Sequence, residues 1–250
     1  MSLIFSNWLL TAKVYGTAWD ACEWHCEPSE YDIYYCQSEL GGNWDWDACM
    51  CTDYTPIAID LDRDGLALTN AEDGVTFDIR GDQRPVRTSW TQPGAQDAFL
   101  VLDRDHNGTI DNGSELFGNL TPQPQRASKS RANKKAAPNG FLALSAFDAP
   151  ANGGNGDKLI SEEDAIYASL RLWIDTNHDG ISQPTELTSL ADEGVRAISL
   201  HYVVGKESDQ CGNVFRYRSH AVMDGDLLER GSQERNVIDV LLQVTAAPVI

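Results

Sequence analysis

The sequence predicts an α+β fold of short β-strands and hairpins with inserted helix–loop–helix units, preceded by a small Cys-rich cap. Three observations predict it. Short apolar runs such as Ile57–Ile59 and Phe99–Leu102 feed directly into Asp/Asn/Gly loops. Longer stretches with helix-start chemistry lie between those loops. Five of the six cysteines fall between Cys22 and Cys51, among Trp19, Trp24, Trp44 and Trp46, while Cys211 stands far away.

Residues 1–54 read as the Cys/Trp-rich N-terminal cap and residues 55–250 as the main domain. Trp-Asp-Ala-Cys occurs at Trp19–Cys22 and again at Trp46–Cys49. Two readings stay open for the cysteines. An oxidising compartment would pair them as disulfides, one reaching Cys211; alternatively Cys22, His25, Cys26 and Cys36 have ligand types suited to zinc. The main domain opens on the strand Pro56–Asp60. Further strands are predicted at Val75–Ile79, Val86–Trp90, Phe99–Leu102, Ala197–Val204, Asn213–Val222 and Val237–Val244. Helices are predicted at Phe141–Phe147, entered from Asn139, and at Glu186–Leu190. A further helix is predicted at Glu162–Leu170, where Ser161 and Asp164 have capping-box spacing. From 120 to 140 the chain is rich in Pro, Ser, Ala and basic residues with no acid, as in a mobile surface loop.

The charge balance narrows the function. Against 19 Lys+Arg stand 38 Asp+Glu, a net charge of −19. Such a field repels phosphate backbones and excludes nucleic acid as a partner. No apolar run is long enough to span a bilayer. Residues 1–18 make a poor signal peptide, because Asn7 interrupts the patch Leu3–Leu10 and no basic residue precedes it. No His-Glu-x-x-His, Gly-x-Ser-x-Gly or phosphate-binding glycine loop is present.

The acids cluster at ligand spacing, which points to calcium. Calcium takes six to eight oxygens, and alternate residues of a tight loop aim theirs inward. In the best match, Asp175, Asn177 and Asp179 precede the turn residue Gly180. Ile181 would give its carbonyl, Gln183 its side chain, and Glu186 would close the site bidentately, as in an EF-hand loop. Ser182 stands where that loop usually carries an apolar residue. A second loop offers Asp103, Asp105, Asn107, Thr109, Asp111 and Glu115, one residue longer than standard. Its Ile110 sits where paired loops exchange a half-strand. A third opens with Asp60, Asp62 and Asp64 but has Ala71 at position 12, so its last ligand would come from Asp78 or Asp82. The fourth is irregular: Asp148, then Asn155 and Asp157 after an insertion, with Asp164 late and Lys158 in place of the turn glycine. Across the Glu162–Leu170 helix it would partner the Asp175 loop.

Four strings carry a family resemblance: Thr55–Gly65, Phe99–Asp103, Gly113–Gly118 and Leu172–Asp175. Together they resemble a calcium module of secreted bacterial RTX-type proteins, over about residues 55–204. The string Gly-Ser-Glu-Leu-Phe-Gly at 113–118 is the most specific piece. The resemblance implies a secreted or cell-surface protein in which calcium ions order the fold. Some relatives of this module cleave themselves at an Asp-Pro bond, where the Asp carboxylate attacks its own carbonyl and the fragment passes to a lysine. Here Thr55 precedes Pro56, and none of the ten prolines follows an Asp. A hydroxyl cannot form the cyclic anhydride, so the resemblance implies no enzyme. Two alternative roles remain: a self-processing relative, or an adhesion or assembly subunit whose N-terminal cap docks on a protein partner or on a second copy.

Overall fold

The computed structural model describes residues 54–124, 138–226 and 236–244, together with Glu30 and the backbone of Asn43–Asp45 and Met50–Thr52. Most of the predicted cap, its disulfide or zinc alternatives and most of the basic loop lie outside the described residues. Two short cap strands, β1 (Asn43–Asp45) and β2 (Met50–Thr52), pair antiparallel. Among the described residues Cys211 is free, and its predicted partners lie beyond them.

The main domain is built on antiparallel sheet, and the α+β expectation is corrected. Its strands are β3 (Ile57–Asp60), β4 (Val75–Phe77), β5 (Val86–Thr88), β6 (Asp97–Val101), β7 (Leu159–Ser161), β8 (Arg171–Trp173), β9 (Leu187–Ser189), β10 (Val195–Ser199), β11 (Val203–Ser208), β12 (Val214–Ser219), β13 (Ala221–Met223) and β14 (Val237–Leu241). A seven-stranded sheet runs in the order β11-β12-β14-β3-β6-β8-β9, flanked by the sheet β13-β10-β7 and the hairpin β4-β5. Chain neighbours are often not sheet neighbours: β3 lies between β14 and β6, with Ile59 opposite Val237 and Ala98.

Strand alternation divides the core into two layers. Every residue of β3, β6 and β14 is buried, which is why these strands read as unbroken apolar runs. Ile57, Ile59, Leu100, Leu172 and Val237 face one cluster with Phe141, Leu144, Ile160 and Ile198. Ala58, Phe99, Val101, Trp173 and Ile238 face the other with Val75, Phe77 and Trp90. In that second layer Trp90 packs at ring-centroid distances of 4.5 Å from Phe99 and 5.2 Å from Trp173. Tilted and edge-on aromatic packing of this kind adds to simple area burial.

Helix is sparse. Helix α1 (Gly140–Leu144) starts where expected, capped by Asn139, whose side chain accepts from the Leu142 N–H. It ends in turns three residues short of Phe147. The predicted helix Glu186–Leu190 is instead the edge strand β9. At Glu162–Leu170 there are turns and a 3-10 segment, Tyr167–Ser169. Half of the capping box does form, for Asp164 Oδ2 accepts from the Ser161 N–H at 2.9 Å. Ser161, however, belongs to β7 and pairs with Ala197. The Ala165 N–H, which would continue the helix, donates to Gly153 O. Tertiary partners therefore capture the groups that helix propagation needs. No helix among the described residues is long and apolar enough to cross a membrane.

The two glycines of the 113–118 string are required by close backbone approach. A Cβ at Gly113 would lie 1.9 Å from Ile79 O, and one at Gly118 1.9 Å from Thr55 O. Gly118 thus allows the Phe117 segment to lie against the start of β3, where the Ile57 N–H donates to Phe117 O at 2.6 Å.

Candidate metal centre

Each of the four predicted loops begins with an aspartate that folds the loop around its own carboxylate. Asp175 accepts from the Asp179 N–H at 3.1 Å and the Gly180 N–H at 2.9 Å. Asp103 accepts from Asn107 and Gly108 in the same way. Asp60 accepts from Arg63 and Gly65, and Asp148 from Gly156 and Lys158. The turns share left-handed backbone at the fourth and sixth positions: Arg63 and Gly65, His106 and Gly108, His178 and Gly180, and after the insertion Gly156 and Lys158. Lys158 at φ 69° adopts the conformation that glycine supplies elsewhere, at the cost a side chain adds there. The insertion is a 3-10 turn, Pro150–Asn152, that leaves the ligand-bearing part of the loop in register.

A carboxylate closes three of the loops. Glu186 Oε1 accepts from the Thr176 N–H and hydroxyl, and Oε2 from the Gln183 N–H. Glu115 Oε1 accepts from Arg104 and Oε2 from Asp111. Asp164 bridges the Asn155 and Ser161 N–H groups. Glu115, Glu186 and Asp164 are buried, so each closing carboxylate faces the loop interior. Within the loops, amide NH2 groups bridge acids. Asn107 Nδ2 bonds both Asp105 and Asp111, Asn177 and Gln183 donate to Asp179, and Asn155 bonds Asp157 and Glu163. The Thr109 N–H donates to Asn107 Oδ1 and the Ile181 N–H to Asp179 Oδ1.

Asp78, one of the two acids expected to complete the first loop, heads a turn of its own and accepts from the Asp82 and Gln83 N–H groups. Asp97 on β6 lies opposite Asp60 on β3 instead. It is 2% exposed; Oδ2 accepts from the Ala67 N–H, and Oδ1 has no hydrogen-bond partner. An aspartate at the head of an apolar strand was the only sequence signal, and it acquires meaning only through the strand pairing.

The electrostatics mark crowded carboxylates. Burial, with Asp60, Asp62 and Asp64 nearby, pushes the Asp97 carboxyl up to about 7. Burial also raises Asp60, aided by Asp62; Glu115, aided by Asp111 and Asp105; and Asp175, aided by Glu186 and Asp179. At Asp103 slight burial pushes upward, but N–H donors from Gly108, Asn107 and His106 outweigh it and lower the value. Carboxylate oxygens of Asp60, Asp62 and Asp64 converge within 4.8 Å of one another, as do those of Asp103, Asp105 and Glu115. Gln183 Oε1, in the Asp175 loop, is buried with no hydrogen-bond partner. The orphaned Asp97 oxygen near the Asp60, Asp62 and Asp64 carboxylates fits a hard cation bound wholly through oxygen. The acids of the Asp175 loop do not converge in this way.

At the start of β3, the Thr55 N–H donates to Asn119 Oδ1 and its hydroxyl to Asp239 Oδ2 at 3.3 Å. The same Asp239 oxygen accepts from the Gly140 N–H. Thr55 is 1% exposed, so its hydroxyl is fixed by this network.

The chain is similar to the Iron-regulated protein FrpA of Neisseria meningitidis serogroup C, 36% identical over 181 residues. That match covers 71% of this chain and 15% of the Neisseria protein, so the chain spans a small part of its relative's length. The SPM domain model matches residues 57–243, well over half of the sequence and the whole of the central sheet. The chain belongs to the SPM domain family.

Proposed function

We propose that this domain binds calcium in its Asp-led loops, that the bound ions order and stabilise the fold, and that it works outside the cell as a structural or interaction module of an RTX-type protein. The observation that supports this best is the shared loop geometry. Four separated segments use a leading aspartate and left-handed fourth and sixth positions, and three add a buried closing carboxylate. The Asp175 loop would hold its ion through Asp175, Asn177, Asp179, Ile181 O, Gln183 and Glu186. The Asp103 loop would use Asp103, Asp105, Asn107, Thr109 O, Asp111 and Glu115. Asp60, Asp62, Asp64 and Asp97 would form a third site, and Asp148, Asn155, Asp157 and Asp164 a fourth. Calcium supplies the positive charge that lets these acids stay ionised side by side. At extracellular calcium such sites fill, whereas at cytosolic levels sensor-grade or weaker ones stay largely empty. The likeness to FrpA favours an exported setting.

The domain is not a self-processing enzyme in this reading. Thr55 holds the position before Pro56, and its hydroxyl is committed to Asp239. One experiment tests both parts. After calcium loading and removal of free ion, elemental analysis should find at least two calcium ions per chain, and the intact mass should be that of the uncut chain. Absence of bound calcium would refute the binding reading. A fragment ending at Thr55 would refute the non-enzymatic one.

A further inference from the structure

We propose that the Asp103 and Asp175 loops bind calcium as one cooperative pair, coupled through the Ser182 hydroxyl; this rests on the calcium reading above. Ser182 is 3% exposed, and its Oγ makes two hydrogen bonds to one residue of the other loop. It accepts from the Ile110 N–H at 2.6 Å and donates to Ile110 O at 3.2 Å. Both residues occupy the eighth position of their loops. A side chain here makes the two-way exchange that a backbone half-strand would make between paired loops.

The place of this tie gives it consequences. Ile110 lies between Thr109, a proposed ligand, and Asp111, whose N–H donates to the closing Glu115. Ser182 lies between Ile181 and Gln183, whose N–H donates to the closing Glu186. Each end of the bond is therefore flanked by two ligand-bearing residues of its own loop. An ion that orders one loop fixes Ile110 or Ser182, and the partner loop then loses less conformational freedom when it fills. Two divalent ions repel through space, so Coulomb coupling alone would weaken the second site. Positive coupling between the sites is thus the signature of the mechanical tie. The pairing also departs from the sequence expectation, in which the Asp148 loop partnered the Asp175 loop across a helix that does not form.

The amide NMR resonances of Gly108 and Gly180 report the two sites separately, since their N–H groups bond the leading Asp103 and Asp175. In a calcium titration of the full chain, both resonances should move with a common midpoint. Glu115→Gln, which weakens the Asp103 loop, should also raise the Gly180 midpoint by roughly tenfold, a typical coupling between sites. In the Ser182→Ala background the same Glu115→Gln change should leave the Gly180 midpoint where Ser182→Ala alone puts it. Ser182→Thr, which keeps the hydroxyl, should restore the coupling and guards against a mere packing defect. A Gly180 midpoint indifferent to Glu115→Gln when Ser182 is present would overturn the coupling while leaving calcium binding intact. The same holds if the two changes act additively. Calcium that moves neither resonance would overturn the binding reading and the coupling with it.

Discussion

Glu186→Ala and Glu115→Ala will each lower the melting temperature in saturating calcium by about 10 °C, a loss of roughly 3 kcal/mol for a domain of this size. Each carboxylate acts twice. It closes an ion site, and it holds the two ends of its loop together by accepting N–H groups: Thr176 and Gln183 for Glu186, and Arg104 and Asp111 for Glu115. Removing it lowers calcium affinity by orders of magnitude and so removes the stabilisation that ligand binding adds, roughly 3–4 kcal/mol per site at a few hundred to a thousand times Kd. In EGTA the same substitutions should cost much less, because only the loop hydrogen bonds are lost while a buried, crowded acid is removed. Differential scanning calorimetry of both variants, with and without calcium, measures the difference directly. Equal losses in the two conditions would mean that these residues are structural and hold no ion.

Asp97→Asn should reverse sign with calcium. The native Asp97 carboxyl is pushed up to about 7 against an ordinary value of 3.8. Between those values the calcium-free native state keeps a proton that the unfolded chain has released. The stability this group supplies is therefore complete below the unfolded value and is lost as the pH rises to about 7. The loss is at most about 4 kcal/mol, at about 1.36 kcal/mol per pKa unit. Asp60, Glu115 and Asp175 are raised by burial and act in the same direction. In EGTA, wild type should melt higher at pH 5 than at pH 8, whereas Asp97→Asn should flatten that slope and gain stability at pH 8. In calcium the variant should lose stability at pH 8, since a neutral amide replaces a charged ligand. Melting curves at the two pH values, with and without calcium, decide it. A variant that melts below wild type in EGTA at pH 8 would contradict this account of Asp97.

The loop turns were legible in the sequence because they are local. Asp175 folds its loop by accepting from Asp179 and Gly180, four and five residues on, and Glu186 closes it on Thr176 and Gln183 within the same dozen residues. The central strands were legible too, since β3 and β6 are apolar runs buried on both faces. What the sequence hid is what strand pairing creates. Asp97 joins the first loop only because β3 and β6 are neighbours, and Ser182 meets Ile110 across 72 positions of chain. The false helix at Glu162–Leu170 had good local chemistry. The Ala165 N–H was taken by Gly153 O and Ser161 by its pairing with Ala197 in the sheet, contacts that no local window contains. The helix expected at Glu186–Leu190 gives way to β9, which pairs with β8 immediately after Glu186.

The measurement that bears most directly on the central claim is thermal unfolding in calcium and in EGTA, followed by the fluorescence of the buried Trp90 and Trp173. Two filled sites would supply about 6–8 kcal/mol, comparable with the roughly 5–15 kcal/mol that holds a typical domain together. The account predicts a cooperative transition in calcium that falls by more than about 15 °C in EGTA, or disappears, and returns when calcium is restored. Superimposable melting curves in the two conditions would contradict it.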